Sequence, residues 1–254
     1  MKTTLFATAA VLAALVSAPA FAAETIGSVG AAYNYTNVDT NLGEQDGSSA
    51  IVDGSVAIKT TTPWTVTLNG ALTYSDNALS DDTNVYGTAH ATYLLNNGVR
   101  VGAFAGLADV ADDTVWAVGG EAHKYFDTVT LSGVVAYGQT DDTDADLWAV
   151  RGDARYFVND NVRLNANLGF ANVDAGAIDA DVWNIGLGGE YKFADNGWSV
   201  FGGYNHAESE DLADLKADSV NVGVRYTFGG SLKDRDRAGA DLTDIGGLFG
   251  GFLR

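Results

Sequence analysis

The chain has no cysteine, which closes off both a disulfide framework and a thiolate metal or redox site. Proline occurs twice and methionine once, at position 1, so neither a proline-rich linker nor a collagen-like repeat is present. Basic residues are scarce: 14 Lys and Arg against 33 Asp and Glu give a formal net charge of −19, the wrong sign for a nucleic-acid partner. The three histidines, His90, His123 and His206, have no serine motif of the nucleophile-elbow kind beside them, and Gly186-Leu187-Gly188-Gly189 does not match a dinucleotide loop. No catalytic residue, cofactor or metal site is therefore expected. Past residue 22, no apolar run reaches the roughly 18 residues of a spanning helix. Any membrane crossing must use strands.

What is present begins with an export signal. Met1-Lys2 supplies a positive start, Leu5 to Val16 a nearly unbroken apolar stretch, and Ala20-Phe21-Ala22 the small-x-small pattern read by signal peptidase, so cleavage is expected after Ala22. From Ile26 to Phe228 follow twelve alternating segments, each close to the roughly 9–11 residues of a tilted membrane strand. They run at 26–38, 50–60, 64–75, 84–95, 99–108, 114–126, 128–139, 147–157, 161–171, 181–193, 198–206 and 218–228. Thr61-Thr62-Pro63, Asn96-Asn97-Gly98, Asp127, Asn159-Asp160 and Ala194-Asp195-Asn196-Gly197 make tight turns between them. The other connections, 39–49, 76–83, 109–113, 140–146, 172–180 and 207–217, are longer and acidic. Short turns on one rim and longer loops on the other predict a closed antiparallel up-and-down transmembrane β-barrel of about 12 strands, with the short turns in the periplasm.

The stretch Asp144–Phe157, DADLWAVRGDARYF, shows the pattern at residue level. Trp148, Val150, Gly152, Ala154 and Tyr156 share one face of an extended chain; Arg151, Asp153, Arg155 and Phe157 share the other. Aromatic residues recur at both ends of most segments, with Val, Leu, Ile, Ala and Gly between them, as in Val129-Leu131-Gly133-Val135. An apolar belt between two aromatic levels matches a surface facing lipid. The opposite faces then line a wet interior, because Arg or Asp in hydrocarbon would cost several kcal/mol. A soluble β-sandwich would bury apolar faces too, but it does not account for two aromatic levels together with the loop asymmetry.

Over residues 24–228 the sequence resembles the outer-membrane β-barrel and porin-like proteins of Gram-negative bacteria. The most specific feature is the last segment, Ser219-Val-Asn-Val-Gly-Val-Arg-Tyr-Thr-Phe228, which is similar to the aromatic-ended strand that the family's assembly machinery recognises; the resemblance makes Tyr226 and Phe228 the assembly signal. It departs from the family pattern in having residues 229–254 after that strand, and in being shorter than the sixteen-stranded general porins. The resemblance implies a bacterial outer-membrane location, with outer-membrane lipid, lipopolysaccharide and the barrel-assembly machinery as partners.

Charge is distributed by phase. Most of the acids fall in the long connections, which read as a solvated, repulsive surface; divalent cations shared with lipopolysaccharide phosphate are the alternative, although no calcium-loop spacing occurs. On the strands, Lys59, Arg100, Arg151, Arg155, Arg163, Lys192 and Arg225 take the inward phase, with Asp53, Glu121, Asp153 and Glu190. They form either salt bridges that stiffen the wall or a basic constriction. The inward sets Ser28-Gly30-Ala32-Asn34, Thr65-Thr67-Asn69-Ala71-Thr73 and Asn165-Asn167-Gly169-Ala171 are too small to fill a dry core, which predicts a narrow pore for passive diffusion of small hydrophilic solutes. A structural or surface-interaction barrel without conductance is the alternative. The organisation expected is thus a signal peptide at 1–22, the barrel at 23–229, and a flexible periplasmic tail at 230–254. In that tail Lys233-Asp-Arg-Asp-Arg237 alternates in sign, and Leu242, Ile245, Phe249 and Phe252 recur at helical spacing; a plug in the lumen, or a segment docking on a partner, is the sharper reading of it.

Overall fold

The structure is a computed structural model and describes residues 24–77, 81–110, 113–176 and 179–249. The signal segment 1–22 and Phe252 lie outside the described residues. Twelve strands follow in chain order: β1 (Thr25–Thr40), β2 (Gly43–Lys59), β3 (Trp64–Asn77), β4 (Asp81–Leu94), β5 (Val99–Val110), β6 (Asp113–Tyr125), β7 (Val129–Thr140), β8 (Asp146–Asn159), β9 (Val162–Asp174), β10 (Asp179–Lys192), β11 (Trp198–Ser209) and β12 (Leu215–Phe228). Each is antiparallel to its sequence neighbour, and β1 closes on β12 from Gly27↔Phe228 to Asp39↔Lys216. Closure leaves no unpaired edge, which hydrocarbon could not satisfy.

The strands at the loop rim are longer than the sequence pattern indicates. The expected 39–49 connection is mostly ladder, with Asp39 opposite Glu44, and the chain turns at Asn41 and Leu42. Clustered carboxylates suggested loops, but amide side chains bridge them. Asn37 Nδ2 donates to Glu44 and Asp46 at 2.7 and 3.0 Å, and Asn172 Nδ2 donates to Asp179 and Asp181 at 2.8 and 2.9 Å. With the repulsion relieved, backbone pairing continues beyond the belt.

The outer face carries exposed Val29, Val150, Leu168, Leu187 and Val222 between aromatic levels. Trp64 meets Tyr93 edge-on at 5.2 Å and Trp198 meets Tyr226 at 5.3 Å near the short turns, while Tyr137 lies between Trp116 and Trp148 near the loops. Two aromatics expected in these levels by their position at strand ends, Tyr86 and Tyr125, point inward: Tyr86 is buried, and Tyr125 Oη accepts from Arg100 Nε at 3.0 Å. Phe126, one residue on and exposed, takes the outward place of Tyr125.

The larger departure is the tail. Instead of hanging free, residues 229–249 fold back into the barrel. Gly229 at φ +84° reverses the chain after β12. Ser231 then caps α1 (Leu232–Ala238) in a reciprocal capping box with Asp234, and Gly239 at φ +90° ends it in the left-handed conformation that Gly adopts without a Cβ penalty. A second single turn, α2 (Ile245–Leu248), is capped by Asp244. Its apolar side chains explain the tail's spacing: Ile245, Leu248 and Phe249 are buried among inward Tyr86, Phe104, Ala117, Val134, Leu147 and Ala149. Each such side chain contributes about 1.5–3 kcal/mol on burial, one part of what opposes the entropy lost in ordering a glycine-rich segment.

Candidate functional site in the divided lumen

The tail enters at the short-turn rim and is held by the wall residue by residue. Arg237 donates to the carbonyl oxygens of Phe126 and Asp127, and Arg100 Nη2 donates to the Arg237 carbonyl oxygen at 2.9 Å. Further in, Ser55 Oγ donates to Ala240 O at 2.6 Å, Thr67 Oγ1 to Gly239 O at 2.8 Å and Asn69 Nδ2 to Leu242 O at 3.3 Å. Deeper still, Ile245 N donates to Thr88 Oγ1 at 3.1 Å, and Arg151 Nη1 to Gly247 O at 3.0 Å. Thr67 and Asn69 belong to the small polar inward set read from the sequence, and Ser55 and Thr88 extend it. They serve as donors and acceptors for a polypeptide.

A layer of ion pairs crosses the lumen at the level of α1. Glu190 is its centre: Arg235 Nη2 reaches Oε2 at 2.6 Å, Arg163 Nη2 at 2.9 Å and Arg225 Nη1 at 3.7 Å, while Ser199 Oγ donates to Oε1 at 2.7 Å. Asp241 receives Arg163 Nη1 at 2.6 Å and Arg235 Nε at 2.9 Å. Asp236 receives Arg155 Nη1 at 2.8 Å and Thr130 Oγ1 at 2.6 Å. Arg235 and Asp236 are fully buried, a placement tolerable only because each is paired and hydrogen-bonded. Asp241 is pulled two ways: burial favours its neutral form, but Arg235, Arg163 and Arg155 outweigh this and hold its carboxyl below the usual range.

The nine strand residues singled out as lumen groups fall as follows. Arg155, Arg163, Glu190 and Arg225 join the ion-pair layer, Arg225 also meeting Asp53 at 2.8 Å and stacking over Phe201 at 4.4 Å. Arg151 and Asp153 pair with each other at 3.0 Å. Arg100 on β5 is buried against Tyr125 and Thr92, Lys192 on β10 is buried too, and neither has an ion-pair partner among the described residues. Lys59 stands apart at the rim with Glu24 at 3.0 Å. The basic constriction is therefore largely neutralised, Arg155 and Arg163 by acids from the tail and Arg151 and Arg225 by Asp153 and Asp53 of the wall. Sequence reasoning missed Arg235, Asp236 and Asp241; the alternation 233–237 after a Ser-x-x-Asp cap was their only signal. Tyr226 and Phe228 sit on the outer face, the Phe228 ring lying over Gly27 beside Val56 and Leu68.

Beyond the ion-pair layer the tail packs mainly against β3 to β8. Facing it lies a cavity of about 460 Å³, which reaches the loop rim at Val38, Ala207 and Leu215 and ends on Arg163, Glu190 and Arg225. Its barrel wall alternates amides with glycines. Across the ladders, Asn165 is opposite Gly188, Asn167 opposite Gly186, Asn184 opposite Gly169, Asn205 opposite Gly186, and Asn221 opposite Gly203. A Cβ on Gly186 would lie 2.4 Å from Asn167 Nδ2, and one on Gly169 2.8 Å from Asn184 Oδ1. The carboxamides lie flat over the glycines.

Glu121 bridges two buried imidazoles in the wall behind the tail, accepting from His90 Nδ1 at 2.8 Å and from His123 Nε2 at 3.0 Å. Ser132 stands across the ladder from His123, yet its hydroxyl has no hydrogen bond among the described residues. An activated nucleophile is not assembled there. His206 belongs to the loop rim, with Asp218 at 2.9 Å, and no group of three or more His, Asp or Glu side chains is arranged to hold a metal ion among the described residues.

A closed barrel with a lipid-facing belt, two aromatic levels and a charged, partly hollow interior defines a transmembrane β-barrel channel of the outer-membrane type. The chain belongs to the Gram-negative porin family, whose model matches residues 41–233, and it is an outer-membrane protein. Among solved structures, it is similar to an outer membrane channel from Pseudomonas putida F1 (TM-score 0.60, 14% identity, covering 81% of this chain and 96% of that one). It is similar also to the NanC porin (0.57, 10%, 78% and 98%) and to the translocator domain of the autotransporter NalP from Neisseria meningitidis (0.55, 15%, 89% and 96%). At these identities the likeness is one of fold. No curated protein matches the sequence.

Proposed function

We propose that this porin passes small hydrophilic solutes along the amide side of its lumen, and that the tail, residues 230–254, sets how far they go. The observation that carries this reading is the end of the cavity on the Arg163–Glu190–Arg225 layer, whose central partner, Arg235, comes from the tail. With the tail docked the lumen is a vestibule open toward the loops; with it displaced the short-turn half empties. The tail supplies the carboxylates opposite Arg155 and Arg163 as well as Arg235 opposite Glu190, so its removal takes two acids and one base from the layer and leaves it one charge more basic. Inward bases act at close range in a lower effective dielectric than bulk water, and anions then pass preferentially.

Planar-bilayer recording tests this. Intact protein is expected to give a small conductance, and protein lacking 230–254 a severalfold larger one with a reversal potential shifted toward chloride under a potassium chloride gradient. Equal conductance from both would overturn the gating role. A second reading, a structural or surface-interaction barrel, is favoured by the tail's filling of the short-turn half; absence of conductance from the truncated barrel would establish it. The porin family match favours a channel over a barrel enzyme. Lipopolysaccharide at the acidic loop rim, and the assembly machinery at Tyr226 and Phe228, are the partners this reading gives the outer surface.

A further inference from the structure

We infer that the cavity beside the tail is a binding site for a neutral, polyhydroxylated solute of the mono- or disaccharide class. The inference rests on the porin reading for its physiological meaning and names the kind of solute that reading leaves open. Asn165, Asn167, Asn184, Asn205 and Asn221 line one wall, and none has a side-chain hydrogen bond to the protein among the described residues. Asn184 is nine-tenths buried with its Oδ1 unpartnered, and Asn167 Oδ1 is unpartnered as well. Buried polar atoms are ordinarily satisfied, and leaving one empty costs about 1–3 kcal/mol, so the two unpartnered oxygens of Asn167 and Asn184, with three more free amides beside them, point to a ligand or ordered water that meets them.

Chemistry narrows the class. A carboxamide presents a donor and an acceptor side by side, and a sugar hydroxyl is likewise both. An anion would need unpaired bases, but Arg151, Arg155, Arg163 and Arg225 each already hold a carboxylate. The glycine opposite each amide keeps the wall smooth, so the site stays wide while its amides face inward. Phe201 also lines the cavity, but its ring is held between Gly223 and the Arg225 guanidinium, so recognition falls to the amides. A volume of about 460 Å³ lies in the ordinary range for small-molecule sites.

The test is calorimetric titration of the intact, refolded protein with maltose, with glucuronate as the acidic comparison. Saturable binding of maltose that exceeds glucuronate is expected. Asn167→Leu with Asn221→Leu should weaken it at least tenfold, about 1.4 kcal/mol. Thr243→Trp, which adds bulk from the tail and leaves every strand untouched, should also weaken it and guards against a misfolded wall variant. No saturable maltose binding, a preference for glucuronate, or full affinity in both the Leu and Trp variants would overturn the assignment. Conductance separates the two readings: a conducting protein that fails to bind maltose refutes this site alone, while maltose binding in a protein that never conducts upholds the site and refutes the channel.

Discussion

Glu190 accepts from Arg235, Arg163 and Ser199 and lies near Arg225, all away from bulk water. Glu190→Gln leaves a guanidinium from the tail without its full counter-charge, a change that costs about 3–5 kcal/mol at buried pairs. Tail docking is expected to fail before the barrel does. Trypsin should then cut at Lys233 to Arg237 while the barrel keeps its heat-modifiable migration on gels; an uncut tail would remove Glu190 from the centre of the latch. Asp241 gives a pH dependence of known sign. Its depressed carboxyl contributes docking free energy above the free carboxylate pKa near 3.9 and loses it as pH falls through the lower docked value. The tail should stay docked through mildly acid conditions and loosen only below about pH 4. Since the chain has no cysteine, a fluorophore on Thr243→Cys reports this without background. Release already well above pH 4 would remove Asp241 from this role.

Gly239 at φ +90° ends α1 where a Cβ would lie 3.2 Å from the Arg100 guanidinium carbon. Gly239→Ala therefore adds left-handed strain and crowds a buried base, about 1–2 kcal/mol against docking. That should raise trypsin cleavage of the tail by roughly 5–30-fold. If it leaves cleavage unchanged, the cap has no part in holding α1. The strands behave differently, since each is fixed by two neighbours and by the alternation of lipid and lumen; α1 and α2 depend on contacts supplied by the wall.

For the molecule as a whole, β12 both closes the barrel on β1 and leads directly into the tail. Tyr226 and Phe228 to Ser removes the aromatic end of that strand and uncovers Val56 and Gly27, so outer-membrane insertion should fall severalfold. Deleting 230–254 should leave insertion intact, because every ladder bond survives. Quantifying barrel in outer-membrane fractions decides the matter: loss of insertion only on truncation would mean that the tail nucleates the barrel.

The sequence by itself determined the wall. A period of two with aromatic ends, tight turns alternating with acidic connections, and Arg151, Arg155 and Arg163 in one phase suffice, because lipid admits only one side of each strand and a slip of one residue would expose every charge. It also contained the tail's cap at Ser231 and its apolar positions 242, 245 and 249, but a polar, glycine-rich segment has no periodicity strong enough to say where it docks. Tertiary structure alone decided that Tyr86 and Tyr125 turn inward to meet the tail, that Asp236 and Asp241 neutralise bases read as a constriction, and that one half of the lumen is left as an amide-lined cavity. Which charges meet across a lumen depends on strand stagger and on a chain reversal at one glycine, Gly229, and these are contacts between residues far apart in sequence.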